Sequence, residues 1–459
     1  MIDDTIVALA TPPGSGAIAL IRISGINTFS IINKIISSKI DFINVKSNSI
    51  LRKYIIDPKT NEIIDEVLIF IFKKPLSYTG EDIIEISCHG GKVTPYRILN
   101  LILENGARIA EKGEFTKRAY LNDKIDLTQA EAIADLIASK TITGAKLAIS
   151  NIFRRFSNAI YEIKNSLLNL IAHLEVCIDY PDEGIPESDE KEIIDLYLDI
   201  RNKISHIIDD SKRGRKLSDG ITVVITGRTN SGKSSILNYL AREERAIVSN
   251  IHGTTRDALE INIEIEGVPL IIVDTAGIRD TGDEIEILGI KKTHHYLKEA
   301  NLVLFIIDSS EMLSNLDFEI FNNIKEKDFI ILLNKSDLKQ IISGIDIKDR
   351  FGEGIRFLSI SALQKTGITE LENALRDWVR GHEKGMESNV IVAGIRSEKL
   401  LTDLLVSLKQ GIDVLSRNEP IEFVIIHFRE ALDLLGKITG EVSSEDILNR
   451  IFENFCVGK

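Results

Sequence analysis

At 459 residues the chain has room for about three domains. Hydrophobic residues make up 44% and charged residues 27%, a packed globular composition that excludes global disorder. Lys and Arg number 56 against 69 Asp and Glu, and the net charge of −13 excludes coating of nucleic acid by bulk charge, though not a local basic patch. The cysteines, Cys88, Cys177 and Cys456, are too few and too scattered for a disulfide framework or a four-thiolate metal site, and fit a reducing cytoplasm.

Residues 1–120 alternate short β-rich runs with turns, and Ile18–Ile23, Val67–Phe72 and Ile83–Ser87 read as strands. No apolar run approaches the ~20 residues of a membrane span, and the opening Met1-Ile2-Asp3-Asp4 lacks a signal peptide's basic and apolar regions. Residues 121–217 change period: Leu, Ile and Ala recur every three or four positions in Leu127–Lys140 and Ile193–Ile208, which predicts amphipathic helix. The basic run Lys212-Arg213-Gly214-Arg215-Lys216 reads as a linker, with a nucleic-acid contact as its alternative. Residues 218–375 return to strand–helix alternation, which predicts a mostly parallel sheet. Residues 376–459 are helical again, so the two helical stretches are expected to close into one domain, split in sequence around the α/β insert. The tail Cys456-Val457-Gly458-Lys459 ends in Lys, which is not a usual prenylation ending.

The insert opens with the β run Ile221–Thr226, then Gly227-Arg228-Thr229-Asn230-Ser231-Gly232-Lys233-Ser234 and a helix-like Ser235–Ala241. This is the strand–GxxxxGK[ST]–helix phosphate loop in its required context. Its glycines let backbone N–H groups turn toward phosphates and its helix N-terminus adds positive potential. Lys233 places a charge on the β and γ phosphates, and the Ser234 hydroxyl suits Mg2+. Asp274-Thr275-Ala276-Gly277 follows the strand-like Leu270–Val273. There Asp274 suits an indirect hold on Mg2+, and the Gly277 N–H suits a γ-phosphate. Asn334-Lys335-Ser336-Asp337 follows Phe329–Leu333, and the Asp337 carboxylate can accept from guanine N1 and N2, donors that adenine lacks. Ser361 and Ala362, after another strand, fit the loop that meets guanine O6. Gly253-Thr254-Thr255-Arg256-Asp257 lies where a γ-phosphate-sensing switch belongs, with Thr255 as the second Mg2+ hydroxyl. These elements in this order point to GTP. Ile278 stands where Ras-type enzymes carry a water-orienting Gln, so another group must orient water. Arg256 and Arg279 read as ion-pair partners, and no arginine finger is assignable.

Outside the insert, Thr11-Pro12-Pro13-Gly14, Arg22-Ile23-Ser24-Gly25, Tyr78-Thr79-Gly80-Glu81-Asp82, Cys88-His89-Gly90-Gly91, Gly113–Ala119 with its continuation to Ala132, Asp179–Glu183 and the Cys-Val-Gly-Lys tail run the length of the chain. With the phosphate loop, they resemble the tRNA-modifying GTPases of the MnmE (TrmE) family. The resemblance implies a multidomain α+β and α/β fold. Residues 1–120 would be an N-terminal folate-binding α+β domain that dimerises. Residues 121–217 and 376–459 would be a discontinuous all-helical domain, and 218–375 an inserted Ras-like P-loop G domain. It implies a 5-formyl- or methylene-tetrahydrofolate carrier at Arg22, Glu85, Lys124 and Lys459, where Lys and Arg suit glutamate carboxylates and Glu suits the pterin's donor edge. Cys456 is matched as well, as a structural, folate-proximal or reactive thiol. Cys88 and His89 lack metal-ligand spacing and read as structural.

In the G domain the resemblance implies K+ in place of an arginine finger, held by Asn230, Ser249, the Ile251 carbonyl and Thr254. Asn250, His252 and Ser235 would join the GTP contacts, and Glu286 would orient the attacking water. The implied partners are a second copy of the chain, the FAD-dependent protein MnmG (GidA) in a heterotetramer, and tRNA modified at C5 of the wobble uridine, with no membrane. Departures are Thr229 and Ser231 for Pro and Ala, Ser15 for Arg, Lys112 for Pro, Val457 for Ile, and Arg396 standing in near the entry to the C-terminal helices. A GTP switch in ribosome assembly is the alternative, disfavoured because the C-terminal stretch lacks a basic or Gly-x-x-Gly RNA clamp. A stand-alone folate aminomethyltransferase would differ by needing no flavoprotein.

Overall fold

In Ile63–Phe72, Val67, Ile69 and Ile71 are buried and alternate with Leu68, Phe70 and Phe72 on the other face, the period of a strand in a sheet covered on one side. The computed structural model describes residues 4–139, 141–179, 187–219, 221–242, 260–265, 268–274, 296–298, 300–383, 391–417, 419–442, 445–453, 455–456 and 458–459. The chain divides into two units, one of Met1–Ile137, Ala148–Ile208 and Ala393–Lys459, the other of Ala138–Leu147 and Asp209–Val392.

The first unit contains β1 (Thr5–Leu9), β2 (Ile18–Gly25), α1 (Thr28–Ile35), β3 (Ser49–Ile56), β4 (Ile63–Phe72), β5 (Ile83–His89), α2 (Thr94–Glu104), β6 (Arg108–Ile109) and α3 (Glu114–Leu121). The sheet order is β3-β4-β5-β2-β1-β6, antiparallel except for β1 with β6. Ile31, Ile32 and Ile35 of α1 and Ile98 and Ile102 of α2 join Ile21, Ile23, Ile69 and Ile86 in its core.

The helical stretch follows as α4 (Leu127–Ala138), α5 (Ile142–Ile152), α6 (Arg155–Asp179) and α7 (Glu187–Asp219). The Lys212–Lys216 run, expected to be a linker, lies inside α7. Lys and Arg are good helix formers, and a single Gly costs only about 1 kcal/mol. Here a side chain on Gly214 would collide with Val392, its Cβ falling 2.5 Å from Val392 Cγ2.

The second unit carries β7 (Ile221–Gly227), α8 (Lys233–Arg242), β8 (Glu260–Ile265), β9 (Val268–Asp274), β10 (Leu302–Asp308), α9 (Asn315–Ile324), β11 (Phe329–Asn334), α10 (Gly344–Phe351), β12 (Phe357–Ser359) and α11 (Ile368–Glu383). Its sheet order is β12-β11-β10-β7-β9-β8, parallel apart from β8. Every residue of β10 is buried, as a central parallel strand covered on both faces requires.

The first unit is completed by α12 (Ile395–Ser416), α13 (Ile421–Thr439) and α14 (Glu445–Phe452). Here α13 packs on both α12 and α6, so helices of the two stretches do close on one another in the first unit, while residues 138–147, 209–217 and 376–392 fall in the second. Arg396 fastens that closure: its Nε donates to Glu131 Oε1 at 2.6 Å, and its guanidinium also donates to the carbonyls of Lys437 and Ile438. No described helix is long and apolar enough to cross a membrane.

Candidate functional site

Strands β7, β9 and β11 run parallel, so their C-terminal ends meet at one edge of the second sheet. The loop after β7 turns sharply there. Asn230 takes φ +61 and Gly232 φ +98 before α8 begins at Lys233. The buried Lys233 Nζ donates to the Gly227 carbonyl at 3.0 Å and to the Arg228 carbonyl. Ser231 Oγ donates to the Arg228 carbonyl at 2.9 Å. Ser234 and Ser235 are exposed on the first turn of α8. Ser234 Oγ donates at 3.2 Å to Oδ2 of the fully buried Asp274 at the end of β9. A hydroxyl and a carboxylate are hard oxygen ligands, a donor set that fits Mg2+.

The end of β11 brings in the residues expected to meet the base. Asn334 is buried, its Nδ2 donating to the Ser231 carbonyl at 2.8 Å and its Oδ1 accepting from the Ala362 amide at 3.1 Å. Lys335 adopts φ +62 and its ammonium pairs with Asp308. Burial tends to raise the Asp308 pKa, but Lys335 and Ser310 outweigh it and hold the carboxyl below its usual range. Asp337 Oδ1 accepts from Ser361 Oγ at 2.5 Å, and a carboxylate keeps further lone pairs for a base. The structure thus brings together Asn230, Ser231, Gly232, Lys233, Ser234, Asp274, Asn334, Asp337, Ser361 and Ala362 around one edge. Ser249, Asn250, Ile251, His252, Gly253, Thr254, Thr255, Arg256, Thr275, Ala276, Gly277, Arg279 and Glu286 lie outside the described residues.

In the first unit, Arg22 of β2 faces Glu85 of β5 across the ladder, with Nε 2.7 Å from Glu85 Oε1. Tyr78 and Phe115 rings lie 5.7 and 5.6 Å from its guanidinium carbon. The C-terminal tail returns to this pair: Arg22 Nη1 donates to the Gly458 carbonyl at 3.3 Å, and the Phe115 amide donates to the Lys459 carbonyl at 3.2 Å. Gly458 takes φ +96, and a Cβ there would fall 2.9 Å from the Leu9 carbonyl. Burial, then the nearby Arg22 charge, push the Lys459 ammonium below its ordinary value. Lys124 Nζ donates to the Pro75 carbonyl at 2.9 Å. Cys456 is an exposed free thiol whose carbonyl accepts from the Gly113 amide. Cys88 is buried, its Sγ donating to the Ala19 carbonyl, and burial pushes its thiol up to about 11. His89 Nδ1 lies 2.7 Å from Asp65 Oδ1.

Sequence reasoning missed the hub beside this cluster. Arg118 is 1% exposed and binds Asp4, Glu81 and Glu114 at 2.5, 3.1 and 3.0 Å. Arg108 adds ion pairs to Asp4 and Glu114. The spacing of Glu114 and Arg118, four apart within a quoted motif, was the available signal.

A phosphate loop between strand and helix, a strand-end carboxylate at its serine, and an Asn-Lys-Ser-Asp loop at the same sheet edge define a P-loop GTPase domain, here inserted into a helical domain. The chain matches the MnmE helical domain over residues 127–456 and the GTP-binding protein TrmE N-terminus over residues 5–124. It is 42% identical to the tRNA modification GTPase MnmE of Thermoanaerobacter pseudethanolicus, covering 100% of both chains. It is 38% identical to that of Staphylococcus aureus (strain Newman), covering 99% of each. A crystal structure of Aquifex aeolicus Era bound to GDP.AlF4− is 28% identical over 34% of this chain and 56% of that one, with TM-score 0.28. The chain belongs to the MnmE family of tRNA modification GTPases.

Proposed function

We propose that this chain is a potassium-stimulated GTP hydrolase of the cytoplasm. With an FAD-dependent partner of the MnmG type, it installs an aminomethyl-type (carboxymethylaminomethyl) group at C5 of the wobble uridine of certain tRNAs, using a folate one-carbon unit. The observation that carries this reading is the return of Gly458 and Lys459 onto the Arg22–Glu85 pair, in a chain that also holds a guanine-type nucleotide edge. Residues 1–120 bind folate and dimerise, 121–217 and 376–459 form the helical domain, and 218–375 hydrolyse GTP.

In this reading Asp337 accepts from guanine N1–H and N2–H, and the Ala362 region meets O6. Adenine would leave that carboxylate unmet, a loss worth several kcal/mol of discrimination, on the order of the 10⁴-fold that unpaired polar groups give. Lys233, aimed by two loop carbonyls, meets the β and γ phosphates. Ser234 and Thr255 would hold Mg2+, which supplies positive charge to the phosphate oxygens. Asn230, Ser249, Ile251 and Thr254 would hold K+, which neutralises charge developing at the β–γ bridge. Glu286 orients the attacking water. Arg22, Lys124 and Lys459 bind the folate carboxylates, and Glu85 the pterin edge.

Nucleoside mass spectrometry of total tRNA from cells with and without the chain tests the reading. C5-aminomethyl-type wobble uridines are expected to vanish on deletion, and to return with the intact chain but not with Asp337→Asn. Unchanged wobble uridines overturn it.

A further inference from the structure

Arg228 enters the phosphate loop directly after Gly227, and its side chain runs to the start of α9. There Asp317, third residue of that helix, is fully buried. Asp317 Oδ2 accepts from the Ser314 amide at 2.8 Å and from Ser314 Oγ at 3.1 Å, closing the capping box of α9. Its Oδ1 lies 3.1 Å from Arg228 Nε, and both atoms are buried without a hydrogen-bonding partner of good alignment. Arg228 Nη2 also donates to the Met312 carbonyl at 3.4 Å, and Nη1 lies 3.4 Å from the exposed Glu311. A helix cap uses only one oxygen of Asp317. The buried negative charge needs Arg228, because an unpaired buried ion is costly.

The backbone of Arg228 does different work. Its carbonyl accepts from both Lys233 Nζ and Ser231 Oγ. One residue is therefore anchored on α9 through its side chain and aims the phosphate-binding ammonium through its backbone. We propose that Arg228 and Asp317 are a positioning pair for nucleotide phosphates, with Asp317 holding Arg228 and the Arg228 carbonyl orienting Lys233. This rests on the reading of the loop as a GTP site. The pair touches no phosphate itself and acts only through Lys233.

The test measures equilibrium binding of GTP, GDP and IDP to the full-length chain and to Arg228→Ala, Asp317→Asn and the double variant. Asparagine keeps an oxygen for the α9 cap while removing the charge, so that variant separates the ion pair from helix stability. Each single variant is expected to bind GTP and GDP roughly tenfold more weakly, about 1.4 kcal/mol. The double variant should be no weaker than the weaker single, because the two residues act as one unit. The preference for GDP over IDP, which lacks the N2 donor for Asp337, should be unchanged. Absence of GTP binding by the unaltered chain would overturn the GTP-site reading and, with it, this inference. With that binding intact, unaltered affinity in either single variant, losses that add in the double variant, or collapse of the GDP preference each overturn the pair.

Discussion

Asn334 Nδ2 donates to the carbonyl of Ser231 at 2.8 Å, joining residues 103 positions apart. Through its Oδ1 the same side chain holds Ala362, so one amide ties the phosphate loop to the end of β11 and to the Ser361–Ala362 loop. Gly232 makes room for it: a Cβ there would sit 2.0 Å from Asn334 Nδ2.

Asn334→Ala leaves a buried carbonyl and an amide without partners, at about 1–3 kcal/mol each. GTP and GDP affinity should both fall at least tenfold, measured by titration calorimetry. Retained affinity would mean that the loops hold their shape without the brace.

Asp337→Asn replaces an acceptor-only carboxylate with a group that also donates. GTP should bind on the order of a hundredfold more weakly, while XTP, whose xanthine carries an oxygen at C2, should bind better than to the unaltered chain. A parallel loss for both nucleotides would show that Asp337 acts through the loop, by its bond to Ser361, and not on the base.

The parts of this architecture written in local pattern were legible in the sequence. Strands β2, β4 and β5 showed as apolar runs, and the phosphate loop as glycines flanking Lys233, because each depends on neighbours a few residues away. Gly214 misled for a physical reason: a glycine amid basic residues looks like a break, yet in α7 it makes room for Val392, far along the chain. The Arg228–Asp317 pair, the Arg118 hub and the tail's return to Arg22 join residues brought together only by tertiary folding. Lys124, grouped with Arg22 by resemblance, donates to the Pro75 carbonyl.

The Arg118 hub makes the first unit acid-sensitive. Burial would raise the Glu114 pKa, but hydrogen bonds from Arg108, Glu111 and Arg118 outweigh it, and Asp4 is likewise held below its usual value against burial by Arg118 and Arg108. A carboxylate with a depressed folded pKa contributes stability in full above its unfolded value, and loses it as pH falls through the folded value. Calorimetric melting should therefore weaken below about pH 4.5, the ordinary carboxylate range. Arg118→Met should cost about 3–5 kcal/mol near neutrality, and flatten that acid limb. An unchanged pH profile would remove the hub from acid stability.

Lys459 pays in stability for its position. Its ammonium is pushed down by burial and by Arg22, so the protonated form strains the fold, and the strain is relieved as pH rises through the lowered value. Lys459→Gln should melt at the same or a higher temperature at neutral pH, yet bind 5-formyl-tetrahydrofolate at least tenfold more weakly, the scale of a lost charged contact. Loss of both stability and folate affinity would assign Lys459 to packing of the tail.

Asn230 sits in the left-handed region at φ +61, which Asn tolerates better than most residues, and it presents its side chain at the exposed face of the phosphate loop. A monovalent cation held there against the β–γ bridge would supply the charge that an arginine finger supplies elsewhere. Replacing Na+ with K+ at fixed ionic strength should raise GTP turnover by about tenfold or more, and Asn230→Ala should abolish the difference. Equal rates in the two salts would remove the cation role of Asn230. Glu286→Ala separates water orientation from charge neutralisation: it should cut turnover roughly a hundredfold in K+ while GTP affinity stays within about twofold, as expected for a group that acts in the transition state. A parallel fall in affinity would make Glu286 a binding or folding residue, and water orientation would then fall to another side chain.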